Sequence, residues 1–285
     1  MNVDLHSHTT ASDGALSPMD LLLRAKQQGV ELMAITDHDT VAGYRSVRDQ
    51  WQDASMQLIS GVELSCLWHR RLIHVVGLNI NIDHPSLQAG LATQQQARLD
   101  RAVLIGEKLA KQGFAGGYRF AAELAGDSQI GRPHFAKFLV DCGHVSSESE
   151  AFKRYLGAGK MGDVKSSWPE MATVIQWITD SGGVAVLAHP LHYKMTATKL
   201  RGLVDDFKTQ GGSALEVISG KQTKDRTQYL AQLAEQFGLM ASTGSDFHRP
   251  DMPWNELGQA AILPKHCQPL WPLLSRESGV SSTPQ

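Results

Sequence analysis

Two histidines separated by one residue follow the first apolar segment of the chain, and they constrain its fold more than any other feature. The segment Val3 to Leu5 predicts a short β-strand that ends at His6-Ser-His8. Side chains alternate along a strand, so positions i and i+2 point to the same side and both imidazoles face one point. This geometry is typical of a metal chelate. Asp13 lies in the Ser/Asp/Gly turn that follows and can fold back toward the same point.

Strand-like and helix-like segments alternate in the first and last thirds of the chain. Strands are predicted over residues 3–5, 32–36, 57–59, 72–80, 184–188, 214–218, 240–246 and 260–263, and helices over 18–28, 41–53, 170–181, 198–210 and 223–237. This alternation is typical of an α/β fold with a parallel sheet. A closed barrel and an open doubly wound sheet are both consistent with it. Polar residues follow most strands, as at the carboxyl-end mouth of a barrel, and they favour the barrel.

The middle of the chain has a different pattern. Helical periodicity without strand signals covers residues 88–112, 119–125, 135–142 and 147–156. We therefore predict a discontinuous barrel domain over residues 1–83 and 168–274, with a helical insertion over 84–167 that acts as a cap. The Ser/Thr-rich segment 275–285 is predicted to be a flexible tail.

Composition excludes several classes of protein. The formal net charge of −2 over 285 residues gives no reason to expect duplex DNA binding. Three cysteines without a CxxC motif indicate no disulfide framework, which favours a reducing cytoplasm. No run of about 18 apolar residues predicts a membrane span, and the early histidines leave no room for a signal peptide. Twelve histidines are many for this length, and histidine is the commonest metal ligand.

Ligand-type residues recur at the ends or starts of the predicted strands. They are His6, His8 and Asp13, then Asp37 and His38, Glu63, His74, His189, and finally Asp246 and His248. A single strand histidine usually packs or lies at the surface. The combination of an opening His-x-His with a late Asp-x-His, and Gly-Val-Glu between them, predicts one composite metal site.

These motifs resemble those of a known family. Five segments are similar to motifs of the PHP (polymerase and histidinol phosphatase) family. They are His6-Ser-His8, Thr36-Asp-His-Asp39, Gly61-Val-Glu63, Ala188-His-Pro190 and Ser245-Asp-Phe-His248. Within that family the chain resembles stand-alone bacterial 3′,5′-nucleoside bisphosphate phosphatases and 5′→3′ exoribonucleases. The closer likeness rests on HSHTTASDG, on Gly131-Arg-Pro-His-Phe135, on Tyr155 to Lys160, and on Pro253-Trp254.

The resemblance implies a distorted (β/α)7 barrel with three divalent metal ions, of which manganese is expected first, with zinc or iron as alternatives. It assigns His6, His8, Glu63 and Asp246 to one ion, Glu63, His74 and His189 to a second, and Asp13, His38 and His248 to a third. Mixed nitrogen and oxygen ligands suit these metals better than calcium. Asp37 is expected to orient a ligand imidazole from behind.

Phosphate contacts are expected from the insertion. Arg132, His134 and Lys160 are the candidates, because arginine forks and lysine ammonium groups bind phosphate. The alternative is that both cations are solvated and that His134 packs at a helix start. Members of the subgroup often carry Gly-Arg after His-Pro, where this chain has Leu191-His192. His192 could replace that arginine as a phosphate contact or general acid, or lie exposed in a loop.

The expected activity is metal-dependent phosphoester hydrolysis. Substrates would be nucleoside 3′,5′-bisphosphates, losing the 3′-phosphate, and short RNA that bears a 5′-phosphate. Alternatives are a phosphatase acting on another small monoester, such as histidinol phosphate, and a C–N hydrolase of the amidohydrolase kind, in which Glu63 would stand where a modified lysine is usual. A non-catalytic metal-binding module would be expected to lack some ligands, and this chain has all nine.

Overall fold

Seven strands form one sheet in chain order in the computed structural model, which describes residues 1–164 and 168–274. They are β1 (Val3–Asp4), β2 (Leu32–Ile35), β3 (Gln57–Trp68), β4 (Arg71–Leu78), β5 (Val184–Leu187), β6 (Ala214–Ser219) and β7 (Met240–Gly244). The first and last strands meet, because the Leu5 amide donates to the Thr243 carbonyl at 3.0 Å and the Asp246 amide to the His6 carbonyl at 2.9 Å. The sheet is thus a nearly closed barrel, which confirms the predicted fold class.

One hairpin distorts the parallel barrel. Strand β4 is antiparallel to both β3 and β5, whereas the other neighbouring pairs are parallel. A two-residue turn at His69 and Arg70 joins β3 to β4, with φ angles of 45° and 65°. Such a turn connects antiparallel strands directly, so no helix separates Glu63 on β3 from His74 on β4.

Ten α-helices are described, four of them in the insertion. Those around the barrel are α1 (Pro18–Gln27), α2 (Ala42–Val47), α7 (Met171–Asp180), α8 (Ala197–Thr209), α9 (Lys224–Gln236) and α10 (Trp271–Leu274). The insertion contains α3 (Pro85–Lys111), α4 (Gly117–Ala125), α5 (Arg132–Asp141) and α6 (Glu148–Ala151), followed by a π-helical turn, Phe152–Leu156. No helix among these described residues is both long and apolar enough to cross a membrane.

Two predicted elements are wrong. Helix α2 ends at Val47 instead of near residue 53, and the Trp51 indole then donates to the Met56 carbonyl, at 3.0 Å, as the chain turns toward β3. Residues 260–263 form no strand. The neighbouring position along β7 is taken by residues 268–270, since the Ala241 amide donates to the Gln268 carbonyl and the Leu270 amide to the Ala241 carbonyl.

The long helix α3 belongs to two hydrophobic cores. Its first half packs Leu87 and Leu91 into the barrel core beside Trp177. Its second half contributes Ile105 and Leu109 to a separate core with the other helices of the insertion. A helix shared in this way carries the insertion on the barrel. The domain boundaries stay predictions, and residues 165–167 and the proposed tail at 275–285 lie outside the described residues.

A buried ion pair joins this helix to the barrel. The Arg98 Nε and Nη2 atoms lie 2.7 and 2.6 Å from Oδ2 of Asp39, the residue after His38. The Asp39 carboxylate also accepts hydrogen bonds from the Ser65 amide and hydroxyl, at 2.6 and 2.9 Å. The guanidinium therefore holds the insertion to the segment after β2 and, through Asp39, to β3.

Replacing Arg98 should destabilise the fold. Arg98→Met leaves the Asp39 carboxylate buried without its cation, which should lower the free energy of unfolding by about 3 kcal/mol or more. The control is Arg119→Met on α4, where an exposed i,i+4 pair with Glu123 is lost. Urea denaturation followed by circular dichroism should show a large change for the first variant and almost none for the second. Equal stabilities would show that the buried pair does not hold the insertion.

Candidate metal centre

All nine predicted ligands converge at one mouth of the barrel. His6 and His8 follow β1, Asp13 lies in the loop before α1, His38 follows β2, Glu63 and His74 lie on β3 and β4, His189 follows β5, and Asp246 and His248 follow β7. Parallel strands present their carboxyl ends at the same rim, which explains why residues so far apart in sequence meet there.

Glu63 lies at the centre of this cluster. Its side chain is fully buried, with Oε1 2.9 Å from Nδ1 of His74 and 2.8 Å from Nε2 of His189. Its other oxygen, Oε2, lies 3.3 Å from the Nε2 atoms of His6 and His8 and 2.8 Å from Nδ1 of His38. A carboxylate placed in this way can bridge two cations.

Four overlapping groups of donor atoms each fit a metal ion. In each group the donor atoms lie within 4.8 Å of one another, and the groups are His6, His8 and Asp246; His6, Glu63 and His189; His38, Glu63 and His74; and His8, Asp13, His38 and His248. Together they contain all nine predicted residues. His8 and His38 each lie between groups, so the assignment of each ligand to one of three ions stays a prediction.

The carboxylates and imidazoles set each other's protonation. Burial raises the pKa of the Glu63 carboxyl, but the imidazoles of His38, His74 and His6 outweigh it and hold the pKa well below its ordinary value. Burial, with the positive fields of His248 and His38, lowers the pKa of His8 to about 3. Glu63 is thus ionised and His8 neutral, the forms in which they bind metals, whereas the nearby carboxylates outweigh burial and raise the pKa of His6, His38 and His189.

The donor set fits a bound metal because many of its atoms have no other partner. Within the described part of the chain, the buried ligand atoms without a hydrogen bond are His6 Nε2, both ring nitrogens of His8, Asp13 Oδ1, His38 Nδ1, Glu63 Oε2 and His189 Nδ1. Unpaired buried polar atoms are rare in folded proteins and call for an explanation such as an ion. Nitrogen and carboxylate oxygen donors suit manganese, iron or zinc.

A second glutamate stands behind the cluster, and sequence reasoning missed it. Glu216 on β6 is buried, and its Oε1 accepts a hydrogen bond from Nδ1 of His6 at 3.0 Å, while Oε2 accepts one from the His189 amide. This bond places the hydrogen of His6 on Nδ1 and leaves Nε2 free toward Glu63 and Asp246. A Cβ on Gly244 would lie 2.3 Å from Cβ of His6 and 2.9 Å from this oxygen, so glycine is needed there. The only sequence signal was an acidic residue within the apolar strand Ala214–Ser219.

The predicted role of Asp37 needs correction. Its buried carboxylate accepts hydrogen bonds from the amide and hydroxyl of Thr9 and from the Ser12 hydroxyl, all at 2.7 Å, and not from an imidazole. These bonds fold the loop between His8 and Asp13 because serine and threonine donors lie at both of its ends. Gly43 permits the arrangement, since a Cβ there would lie 2.0 Å from the Asp37 carboxylate.

The insertion forms the opposite wall of a cavity of about 170 Å³. Ligands Asp13, His38 and His74 line one side, and Arg98, Arg101 and Arg132 line the other. Arg132, a predicted phosphate contact, is among the residues that line this cavity. His134 and Lys160 are not among the lining residues. The Nδ1 atom of His134 accepts a hydrogen bond from the Gly131 amide at the start of α5, at 3.0 Å, which agrees with the packing alternative.

His192 lies against the cluster without joining it. Its ring stacks on the ring of His189 with centroids 5.0 Å apart and planes 14° from parallel, while the residue as a whole stays partly exposed. Burial, followed by the positive field of His189, lowers the pKa of His192. The ring therefore covers a candidate ligand, and its predicted role as a phosphate contact or general acid stays a prediction.

Comparison with known proteins agrees with this geometry. The family model described as PHP domain matches residues 4–176. A 5′-3′ exoribonuclease of Haemophilus influenzae is 46% identical over 268 residues, covering 94% of this chain and 97% of that protein. A 3′,5′-nucleoside bisphosphate phosphatase of Chromobacterium violaceum is 38% identical over 271 residues, 95% of each protein. A solved structure of an amidohydrolase from the same species, with bound sulfate and no metal, superposes with a TM-score of 0.89 at 38% identity, covering 96% of both chains.

Removing the charge of Glu216 should weaken the cluster without removing a ligand. Glu216→Gln replaces one carboxylate oxygen with an NH2 donor, so it cannot accept from both the His6 Nδ1–H and the His189 amide, and loss of such an outer partner typically costs about 10- to 100-fold in metal affinity or activity. The matched control is Glu235→Gln on the exposed side of α9. Metal content after dialysis against a graded chelator should fall in the first variant only. Identical metal retention would exclude a role for Glu216 in positioning His6.

Proposed function

The chain belongs to the PHP family and is a hydrolase of its phosphoesterase kind, and we propose that it removes the 3′-phosphate of nucleoside 3′,5′-bisphosphates and trims short 5′-phosphorylated RNA from the 5′ end. The observation that carries the proposal is the two-sided cavity. Candidate metal ligands form one wall and arginines the other, so a substrate with two phosphate groups can place one at each wall.

We propose that three divalent ions, manganese first and zinc or iron otherwise, are held by the nine residues of the cluster. When bound, such ions neutralise a phosphate ester and lower the pKa of a coordinated water. Glu63 would bridge two of them, because each of its oxygens faces a different set of imidazoles. Glu216 and Asp37 hold the His6 ring and the 9–12 loop in place.

The chain's own residues orient the substrate. Arg132, which lines the cavity on the side of the insertion, would help to hold the 5′-phosphate, so that the neighbouring 3′ ester lies against His38 and His74. Hydrolysis there breaks the bond between phosphorus and the 3′ oxygen. Water supplies the new oxygen on phosphorus, and the 3′ oxygen takes up a proton.

The same geometry serves a nucleotide and an RNA end. In a bisphosphate the product is a 5′-mononucleotide and inorganic phosphate. In RNA the product is a 5′-mononucleotide and a chain shortened by one residue, which keeps the phosphate as its new 5′ end. Relatives named for each of the two activities support one site for both.

The two alternative substrates fit the cavity less well. Histidinol phosphate carries a single phosphate and an ammonium group, and the arginine wall would repel that ammonium. A C–N hydrolase acting on a neutral amide would have no use for several buried guanidinium groups. The cationic wall therefore favours an anion at both ends of the substrate.

Steady-state kinetics test the proposal directly. Adenosine 3′,5′-bisphosphate should be hydrolysed with a kcat/KM at least about 10-fold above that of adenosine 3′-monophosphate, since a charge-assisted contact is worth roughly 1.5–3 kcal/mol. A 5′-phosphorylated oligoribonucleotide should release 5′-mononucleotides faster than its 5′-hydroxyl counterpart. Equal rates with and without the 5′-phosphate, or faster turnover of histidinol phosphate or an amide, would refute it.

Loss of Asp246 should abolish activity through loss of a metal. Its Oδ1 lies 3.3 Å from Nε2 of His8 and 3.6 Å from Nε2 of His6, so Asp246→Ala removes the carboxylate of that group. Asp251→Ala, on the exposed loop nearby, is the control. Elemental analysis should show less bound metal in Asp246→Ala, with kcat falling at least about 1,000-fold. Full activity in that variant would remove Asp246 from the site.

A further inference from the structure

Arg101 is a buried cation whose hydrogen-bonding capacity is unused. It lies three residues after Arg98 on α3, is 7% exposed, and lines the cavity opposite the metal ligands. Among residues 1–164 and 168–274 its guanidinium makes no hydrogen bond and no ion pair within 4 Å, and its buried Nε is without a partner. A guanidinium has five donors, so the group has capacity for a ligand in the cavity.

The other two arginines of the wall are already held by the protein. Arg98 is bound to Asp39, and its guanidinium lies 5.5 Å from the ring of Trp168. Arg132 donates from Nη1 to the Leu156 carbonyl at 3.2 Å, and its guanidinium lies 5.9 Å from the ring of Phe152. These contacts fix both groups in place, which leaves Arg101 as the wall's unpartnered donor among the described residues.

The positive charges of the three arginines in the wall favour binding of an anion. Burial, followed by the positive fields of Arg132 and Arg98, lowers the pKa of Arg101 to about 9, while Asp163 and Asp39 act in the opposite direction. Arg101 is still charged at neutral pH, so the buried guanidinium groups of Arg98 and Arg101 and the half-buried one of Arg132 repel one another around one cavity. A doubly charged anion relieves this repulsion more than a singly charged one.

We infer that Arg101 is the specificity-determining residue of the cavity and binds the terminal 5′-phosphate as a dianion. The inference rests on the proposed function and deepens it. A terminal phosphate monoester carries about −1.5 to −2 charges at pH 7, whereas an internal phosphodiester carries one. Arg101 thereby selects the 5′ end of an RNA over its interior, and each cleavage regenerates the same dianion on the shortened chain.

Two neutral replacements test this role. Arg101→Met and Arg101→Gln are compared with the wild type and with Arg119→Met, which removes an exposed arginine of the same insertion. Both Arg101 variants should lose about 10- to 100-fold in kcat/KM on adenosine 3′,5′-bisphosphate and less than about 3-fold on adenosine 3′-monophosphate. Thermal unfolding shows which variants fold, and either folded one suffices. An equal loss on both substrates, or no loss on the bisphosphate, overturns the inference.

Binding to the metal-loaded enzyme separates this inference from the proposed function. Calorimetry with adenosine 5′-monophosphate should show about 10- to 100-fold weaker binding to the Arg101 variants, with adenosine binding unchanged. If the wild type fails to hydrolyse the bisphosphate but this selective loss is seen, the proposed function fails and the dianion site remains. Unchanged binding of the 5′-monophosphate overturns the assignment of Arg101, whatever the substrate.

Discussion

The buried carboxylate of Glu63, surrounded by five imidazoles, is the constraint on which the rest of the structure depends. A charge taken out of water in this way is tolerated only when groups of opposite sign or metal ions are held against it. Its partners follow β1, β2 and β5 or lie on β4, so four strands must assemble around β3 before the charge is compensated. Asp4 helps to close the barrel beside them, because its buried carboxylate accepts hydrogen bonds from the Ser245 amide at 2.8 Å and the Gly258 amide at 3.1 Å.

Asp39 is one of the residues that couple the insertion to this centre. Asp39 follows His38 directly, its carboxylate holds Ser65 two positions after Glu63, and Arg98 of α3 binds the same carboxylate. Any displacement of α3 would therefore act on both a ligand and the central bridge. The same helix carries Arg101, so the distance between the cationic wall and the metal ligands is set by a short, buried connection instead of by a flexible linker.

The site residues that could be predicted from the sequence are those that belong to a recurring pattern of paired ligands at strand ends. His6, His8, Asp246 and His248 were predictable because paired ligands at strand ends obey the two-residue period, and strand ends of a barrel share a rim. Glu216 and Asp4 were not, since each is a single polar residue in a strand and depends on a partner more than 20 positions away. Arg101 was not either, because the sequence of a helix does not show which of its arginines faces a cavity. The antiparallel direction of β4 was also missed, because the pattern of apolar residues in a strand indicates its burial and not its direction. Asp37 was recognised as important, but its partner is the loop after His8.

The two walls of the cavity differ in charge, and this difference is the basis on which the proposed site would accept both a nucleotide and an RNA end. The ligand wall is rich in lone pairs and needs cations, whereas the arginine wall carries excess positive charge and needs an anion. Metals at the first wall would draw one phosphate, and the guanidinium groups of the second would draw another. A 5′-phosphate with a neighbouring 3′ ester would satisfy both walls at once. A nucleoside 3′,5′-bisphosphate and the 5′ end of an RNA both carry this pair of groups, so the same two walls would bind either, although the 3′ phosphate is a monoester in one and a diester in the other.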